Sequence, residues 1–208
     1  MNYMRIKISM MMCMALLTIS FTACSEQDEE EEFSNWEAKN TAFIDSIAKV
    51  ARTNAEGNWS IYKAYILGDS TALYNGQNEK FIYVQKLENG NGTMHPLFTD
   101  SVRVHYFGQL IPSKTYPQGY NFDKSYVTDV LNEETDVPAA FGVSGNIVGF
   151  ATALQYMVEG DRWKVYIPYQ LGYGKSDAST IPGYSALIFD VKLARVYRKG
   201  TYNNTDWY

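Results

Sequence analysis

The chain has 208 residues, of which 46% are hydrophobic and 20% charged, and a formal net charge of −5. That length can bury one full core and a small second unit, and the acidic balance excludes a nucleic-acid partner, whose backbone demands basic surface. The two cysteines, Cys13 and Cys24, both lie near the N-terminus, so the rest of the chain must hold its core by packing without a disulfide.

Residues 1–24 have the layout of an export signal. Arg5 and Lys7 form a basic head, and the apolar stretch from Ile8 to Phe21 is too short to span a bilayer securely. The segment ends Phe21-Thr22-Ala23-Cys24, similar to a bacterial lipobox, although that pattern prefers Leu where Phe21 stands. Cys24 is then expected to be the lipidated first residue of the mature chain. An ordinary cleavable signal with an incidental cysteine is the alternative. Ser25 to Glu32 contains six acids, too charged to bury anything. It resembles the acidic stretch that follows the lipid cysteine in surface-exported lipoproteins of Bacteroidetes, and reads equally as a plain spacer.

Trp36, Phe43, Ile44, Ile47 and Val50 recur at helical spacing and predict an amphipathic helix running through Arg52. Asn58 to Gln77 has mixed periodicity and is not assigned. Alternation from Lys80 to Leu87 predicts a strand ended by Asn89-Gly90-Asn91-Gly92. A helix from about Val148 to Glu159 carries Phe150, Leu154 and Met157 on one face, with Gly160 expected to end it in a left-handed cap. Arg162 to Ile167 predicts a strand stopped by Pro168, Gly172 and Gly174 mark a turn around Tyr173, and Leu187, Phe189, Val191 and Leu193 alternate along a last strand. One helix among several strands predicts an α+β architecture.

Other chemistries lack their residues. His95 and His105 have no third histidine or cysteine beside them to hold a metal, and His105 must point to the strand face opposite Tyr106. No Gly-x-Ser-x-Gly elbow is present, and Gly142-Val143-Ser144-Gly145 is too sparse for a phosphate loop. No cofactor is expected.

The ordered elements Val102-Arg103-Val104-His105-Tyr106-Phe107-Gly108, Phe122-Asp123, Ile147-Val148-Gly149-Phe150, Met157-Val158-Glu159-Gly160, Ile167-Pro168, Gly172-Tyr173-Gly174, Ile181-Pro182 and Leu187-Ile188-Phe189-Asp190-Val191 cover roughly half of the chain. This order resembles the FKBP-type peptidyl-prolyl isomerases. The resemblance implies a bent antiparallel sheet wrapped around one short α-helix, with a helical N-terminal extension. It divides the chain into a lipoprotein signal segment at 1–24, an acidic tether and helical extension at 25–79, and an isomerase domain at 80–208.

Residue by residue, the resemblance puts Tyr106, Phe122, Ile147, Phe150, Tyr173, Ile181 and Phe189 around a pocket, with Phe150 as its floor where most members have Trp. Tyr173 corresponds to a tyrosine whose hydroxyl donates to a substrate carbonyl. The Ile147 backbone N–H is a second donor, and Asp123 lies near the twisting carbonyl and can bond to Tyr106. The implied partners are proline-containing polypeptides and macrolide inhibitors of the family. The implied place is the cell envelope, lipid-anchored through Cys24. The N-terminal helix either packs back on its own domain or makes a homodimer.

Departures from the pattern bear on rate and preference. Ala139 stands where many members have an aromatic wall residue, and the arginine that usually pairs with the aspartate has no clear counterpart after Asp123. Ile111 to Tyr120 is longer than the compact family turn, and Val127 to Ala140 adds a loop with Asp129, Glu133, Glu134 and Asp136. The segment between Gly174 and Ile181 is too short for an inserted chaperone domain. A weakly catalytic chaperone or peptide-binding module is therefore the alternative to an efficient isomerase.

Overall fold

The computed structural model describes residues 32–68 and 76–200. The chain divides into two compact units, Met1–Ser34 and Asn35–Tyr208, and the elements below belong to the second. The expected signal segment, Cys24 and nearly all of the acidic tether lie outside the described residues.

Helix α1 spans Trp36–Thr53. Its buried stripe is Trp36, Asn40, Ile44, Ala48 and Ala51, rotated from the expected stripe so that Val50 faces solvent. Small alanines let the helix lie close to the sheet, and the larger Phe43 packs at its flank against Tyr166. Asn54 ends the helix in the left-handed region (φ 45°), its N–H donating to the Val50 carbonyl. Its side-chain oxygen accepts the N–H of Trp59. The same asparagine thus stops α1 and starts the first strand.

The strands are β1 (Trp59–Lys63), β2 (Phe81–Glu88), β3 (Ser101–Leu110), β4 (Asn121–Lys124), β5 (Ala139–Gly142), β6 (Arg162–Ile167) and β7 (Leu187–Tyr197). They form one antiparallel sheet in the order β1-β2-β6-β7-β3-β4, with β5 also paired to β3. The stretch left unassigned by its periodicity contains β1, and the expected boundary near Lys80 runs inside this sheet, since Trp59–Lys63 pairs with Phe81–Gln85. β4 pairs with the C-terminal half of β3 and β5 with its N-terminal half. The acidic loop between them is therefore an excursion from a single edge. Register shifts at Lys86/Glu88, Arg103/Val104 and Gly108/Gln109 supply the bulges that bend such strands.

Helix α2 spans Val148–Tyr156 and lies on the sheet face opposite α1. Trp163, Val165 and Ile167 alternate with Tyr166 along β6. Tyr166 stacks on Trp59 and touches α1, while Ile167 meets α2 at Gly149. Residues Gly149 through Leu154 are all buried, so α2 is a core helix and not an amphipathic one. It ends at Tyr156, one turn before the expected glycine cap. Met157 turns extended and buries its side chain, and the Asp161 carboxylate accepts the N–H groups of Val158 and Gly90. Gly160 does hold a left-handed φ of 92°, but in the following turn, where its N–H donates to Leu193. Among the described residues no helix is long and apolar enough to cross a membrane.

Charges tie the sheet to the acidic loop. Arg162 makes two 2.9 Å bonds to Asp190 and reaches Glu88, and Lys192 links Glu88 to Glu133 of the loop. Nearby, His105 is buried with its Nδ1 unpartnered. Burial pushes the imidazole below its ordinary value of 6.5, against the pull of Glu133 and Asp136 and with a smaller push from Lys192. The folded state therefore binds this proton less readily than the unfolded chain. The associated stability is complete above about pH 6.5 and is lost as pH falls through that value toward the lowered folded one, by no more than about 1.4 kcal/mol per pH unit. Urea unfolding of wild type between pH 7.5 and 5.5 should show this decline, and His105→Gln should flatten it; equal slopes for the two proteins would refute the assignment.

Candidate active site

A cavity of ≈ 200 Å³ opens between the first turn of α2 and strands β3, β4, β5 and β7. Its floor is Phe150, 4% exposed. Phe189 meets Phe150 at 5.0 Å between ring centroids and 65°, while Tyr106 and Phe141 each meet it at 6.4 Å, near perpendicular. Phe122 in turn stands edge-on to Phe189 at 5.5 Å. Such edge-to-face pairs set the positive ring edge against the negative ring face, which fixes the rings more firmly than apolar burial alone.

The strands put these rings together through their two-residue period. Tyr106 and Gly108 share one face of β3, and their partners Val191 and Phe189 share the same face of β7. Gly108 matters because it has no side chain. A Cβ there would stand 2.6 Å from the Phe122 ring and 2.8 Å from that of Phe189, so the absent methyl is the space in which both rings sit.

Polar groups line one side. The Tyr106 hydroxyl donates to Asp123 Oδ2 at 2.7 Å. Burial first, then this bond to a carboxylate, hold the Tyr106 hydroxyl well above its ordinary value, so it remains a donor throughout the neutral range. Tyr173 closes the mouth. It is 47% exposed, and burial together with the Asp123 charge raises its hydroxyl too. Ile147 precedes α2 with an extended backbone, so its N–H lies outside the helical ladder at the positive end of the helix dipole.

Seven of the eight expected pocket residues line this cavity: Tyr106, Phe122, Asp123, Ile147, Phe150, Tyr173 and Phe189. Ile181 is not brought there. It is buried where a short bridge to Ala178 closes the loop after Tyr173. Phe141, Gly145 and Asn146 also line the cavity and were not anticipated. Phe141 supplies an aromatic wall two residues beyond Ala139, on the same face of β5, and the two-residue strand period was the available signal. The Asn146 amide donates to the Gly142 carbonyl at 2.8 Å, closing the turn that leads into α2. Among the described residues no group of three His, Cys, Asp or Glu side chains could hold a metal ion.

Residues 92–194 match the family described as FKBP-type peptidyl-prolyl cis-trans isomerase. The chain is similar to the macrophage infectivity potentiator of Trypanosoma cruzi, 38% identical over 113 residues, which are 54% of this chain and 51% of that protein. It is likewise similar to the FKBP-type 22 kDa peptidyl-prolyl cis-trans isomerase of Escherichia coli K12, 38% identical over 119 residues covering 57% and 51%. The chain thus spans about half the length of these curated relatives. The crystal structure of FkpA from Escherichia coli superposes with a TM-score of 0.55 at 27% identity, covering 82% of this chain and 64% of that one. A peptidyl-prolyl isomerase from Pseudomonas syringae, at TM-score 0.50 and 23% identity over 76% of this chain and 96% of that one, shares the fold.

Removing the Tyr106 hydroxyl tests the polar side of the cavity. Asp123 is exposed enough for water to replace the lost donor, so Tyr106→Phe should cost about 0.5 to 1.5 kcal/mol in urea unfolding with an unchanged slope. A loss above 3 kcal/mol would mean that the ring, and not the bond, had been displaced.

Proposed function

The chain belongs, through residues 92–194, to the FKBP-type peptidyl-prolyl cis-trans isomerase family, and from that premise we propose that it rotates X-Pro bonds of exported polypeptides in the aromatic cavity. The observation that carries this reading is the conjunction, around one cavity, of a ring-walled floor at Phe150 with the Tyr106–Asp123 hydrogen-bonded pair and the Tyr173 hydroxyl.

Rotation about the X-Pro bond meets a barrier of about 18 to 20 kcal/mol because the planar amide is conjugated. The planar form is the more dipolar one. Moving it from water into an apolar box therefore raises the planar state relative to the twisted one, in which conjugation is lost. The proline ring would rest on Phe150 between Phe189 and Tyr106. Tyr173 and the Ile147 N–H suit the role of holding the substrate backbone by its carbonyls while the bond turns. Tyr106 orients Asp123 at the rim through the 2.7 Å bond, so the carboxylate stands beside the bound chain without occupying the box. No covalent intermediate and no cofactor is needed.

A second reading has its own support. Val127, Val130 and Val137 are 88%, 76% and 70% exposed on the acidic loop, which begins just after Asp123 and ends just before Phe141. Exposed apolar side chains on a loop that joins two strands of the cavity wall suit a module that holds unfolded clients and turns them over slowly. For the isomerase reading, short X-Pro peptides in an NMR exchange assay should be accelerated by wild type. Phe150→Ala should lose most of the gain, and Tyr173→Phe a share on the order of one hydrogen bond, about 0.5 to 1.5 kcal/mol. A folded wild type that gives no acceleration but suppresses aggregation of an unfolded client would transfer the function to the second reading.

The proposed setting is the bacterial envelope. Phe21-Thr22-Ala23-Cys24 supports a lipid anchor, followed by a tether, the α1 and β1 extension and the isomerase domain from about Lys80. Macrolide inhibitors of the family are expected ligands of the cavity. The buried stripe of α1 lies on its own sheet, which supports packing back over a homodimer. Cys24→Ser should move the chain from the membrane to the soluble fraction of cells, and an unchanged distribution would remove the anchor.

A further inference from the structure

The side chains of α1 grip the loop that carries Tyr173. Indole Nε1 of Trp36 donates to Ser185 Oγ at 2.8 Å, and Ser185 Oγ donates to the Pro182 carbonyl at 2.6 Å. One turn on, the Asn40 carboxamide oxygen accepts the Ala186 N–H at 2.8 Å while its Nδ2 donates to the Trp36 carbonyl at 2.7 Å. A backbone N–H can only donate, so this network fixes which way the carboxamide points. Glu37, beside Trp36, accepts the Tyr169 hydroxyl at 3.1 Å.

These contacts fall on both ends of the loop. Tyr169 lies before Tyr173, and Tyr184 to Ala186 lie after it. The two ends touch each other, with the Tyr169 and Tyr184 rings edge-to-face at 5.2 Å. Between them the Gly174 N–H donates to Tyr169, and the Tyr184 N–H donates to Gly174. Tyr184 is held at φ 63°, an unfavourable conformation for a bulky residue that persists only where its surroundings over-determine it. Asn40 is 1% exposed, and a buried carboxamide in an otherwise apolar helix stripe costs free energy unless each of its groups is paired.

We propose that α1 is a clamp on the active-site loop and that Asn40 is a positioning residue, which sets the place of the Tyr173 hydroxyl through Ala186, Tyr184 and Gly174. The inference rests on the cavity being an isomerase site, because it assigns the helical extension a part in that site's geometry. On this account the extension is neither a spacer nor a dimer arm.

Asn40→Leu removes the acceptor at similar size, whereas Asn40→Asp keeps it. In hydrogen exchange by NMR on the whole chain, the Tyr184 and Ala186 amides should exchange at least tenfold faster in Asn40→Leu, with the Val104 amide of β3 unchanged. Asn40→Asp should stay within threefold of wild type, even if its buried charge lowers stability. In the X-Pro assay, kcat/KM should fall three- to tenfold in Asn40→Leu but less than twofold when Tyr173 is already Phe, because a residue acting through Tyr173 has nothing left to act on. Full additivity of the two substitutions would overturn the proposal, and so would unchanged exchange at Tyr184. If Asn40→Leu does not fold, Trp36→Phe, which removes the indole N–H, carries the same comparisons. If wild type does not accelerate X-Pro exchange, the isomerase reading falls by itself. The exchange rates then decide the clamp: faster Tyr184 and Ala186 amides support it, and unchanged ones overturn it.

Discussion

Phe150 meets the rings of Phe189, Tyr106 and Phe141 at 5.0 to 6.4 Å, and at this point α2, β3, β5 and β7 are joined. Each such pair contributes about 0.5 to 1.5 kcal/mol beyond the area it buries. The cluster has a further effect that burial of aliphatic groups would lack. Rings set edge to face leave angular gaps that side chains of their own size cannot fill, and the cavity is one such gap with its outer side open. The packing that stabilises the domain and the shape that receives a ligand therefore have a common origin.

Glycines permit this arrangement. Gly149 lies flush against Ile167, where a Cβ would collide with its branched side chain, and Gly108 yields its space to Phe122 and Phe189. In the first case the helix backbone is brought down onto β6, lowering Phe150 to the floor of the cavity. In the second, the wall strand is thinned so that rings from its two neighbours, Phe122 of β4 and Phe189 of β7, meet over β3. Larger residues at either place would push the rings apart and fill the cavity from behind.

Ionic and polar ties act mostly at the periphery. The Arg162, Asp190, Glu88, Lys192 and Glu133 network joins β2, β6 and β7 to the acidic loop. Its partners are partly solvated, so each pair adds little stability, but together they hold the loop to the outer face of the sheet. Within that loop, Asp136 accepts the N–H groups of Val127 and Asn132. An acidic loop of this kind keeps a defined shape although three of its valines face water.

Local pattern carries much of this protein in its sequence. Alternation specifies β2, β6 and β7 because one strand face must be apolar. The order of the Tyr-x-Gly, Phe-Asp, Ile-x-Gly-Phe, Gly-Tyr-Gly and Leu-x-Phe-Asp-Val elements points to the family, and these five elements contain the seven expected residues that line the cavity. What the sequence leaves open depends on partners distant along the chain. The stripe of α1 is Ala48 and Ala51 and not Val50, because closeness to the sheet outweighs side-chain size at that contact. Phe141 becomes the wall that Ala139 cannot be, through the register of β5 on β3. Asn40 reads as a polar break in an apolar helix until Ala186, 146 residues away, presents its N–H. Periodicity reports which face is buried; only the tertiary fold decides against what.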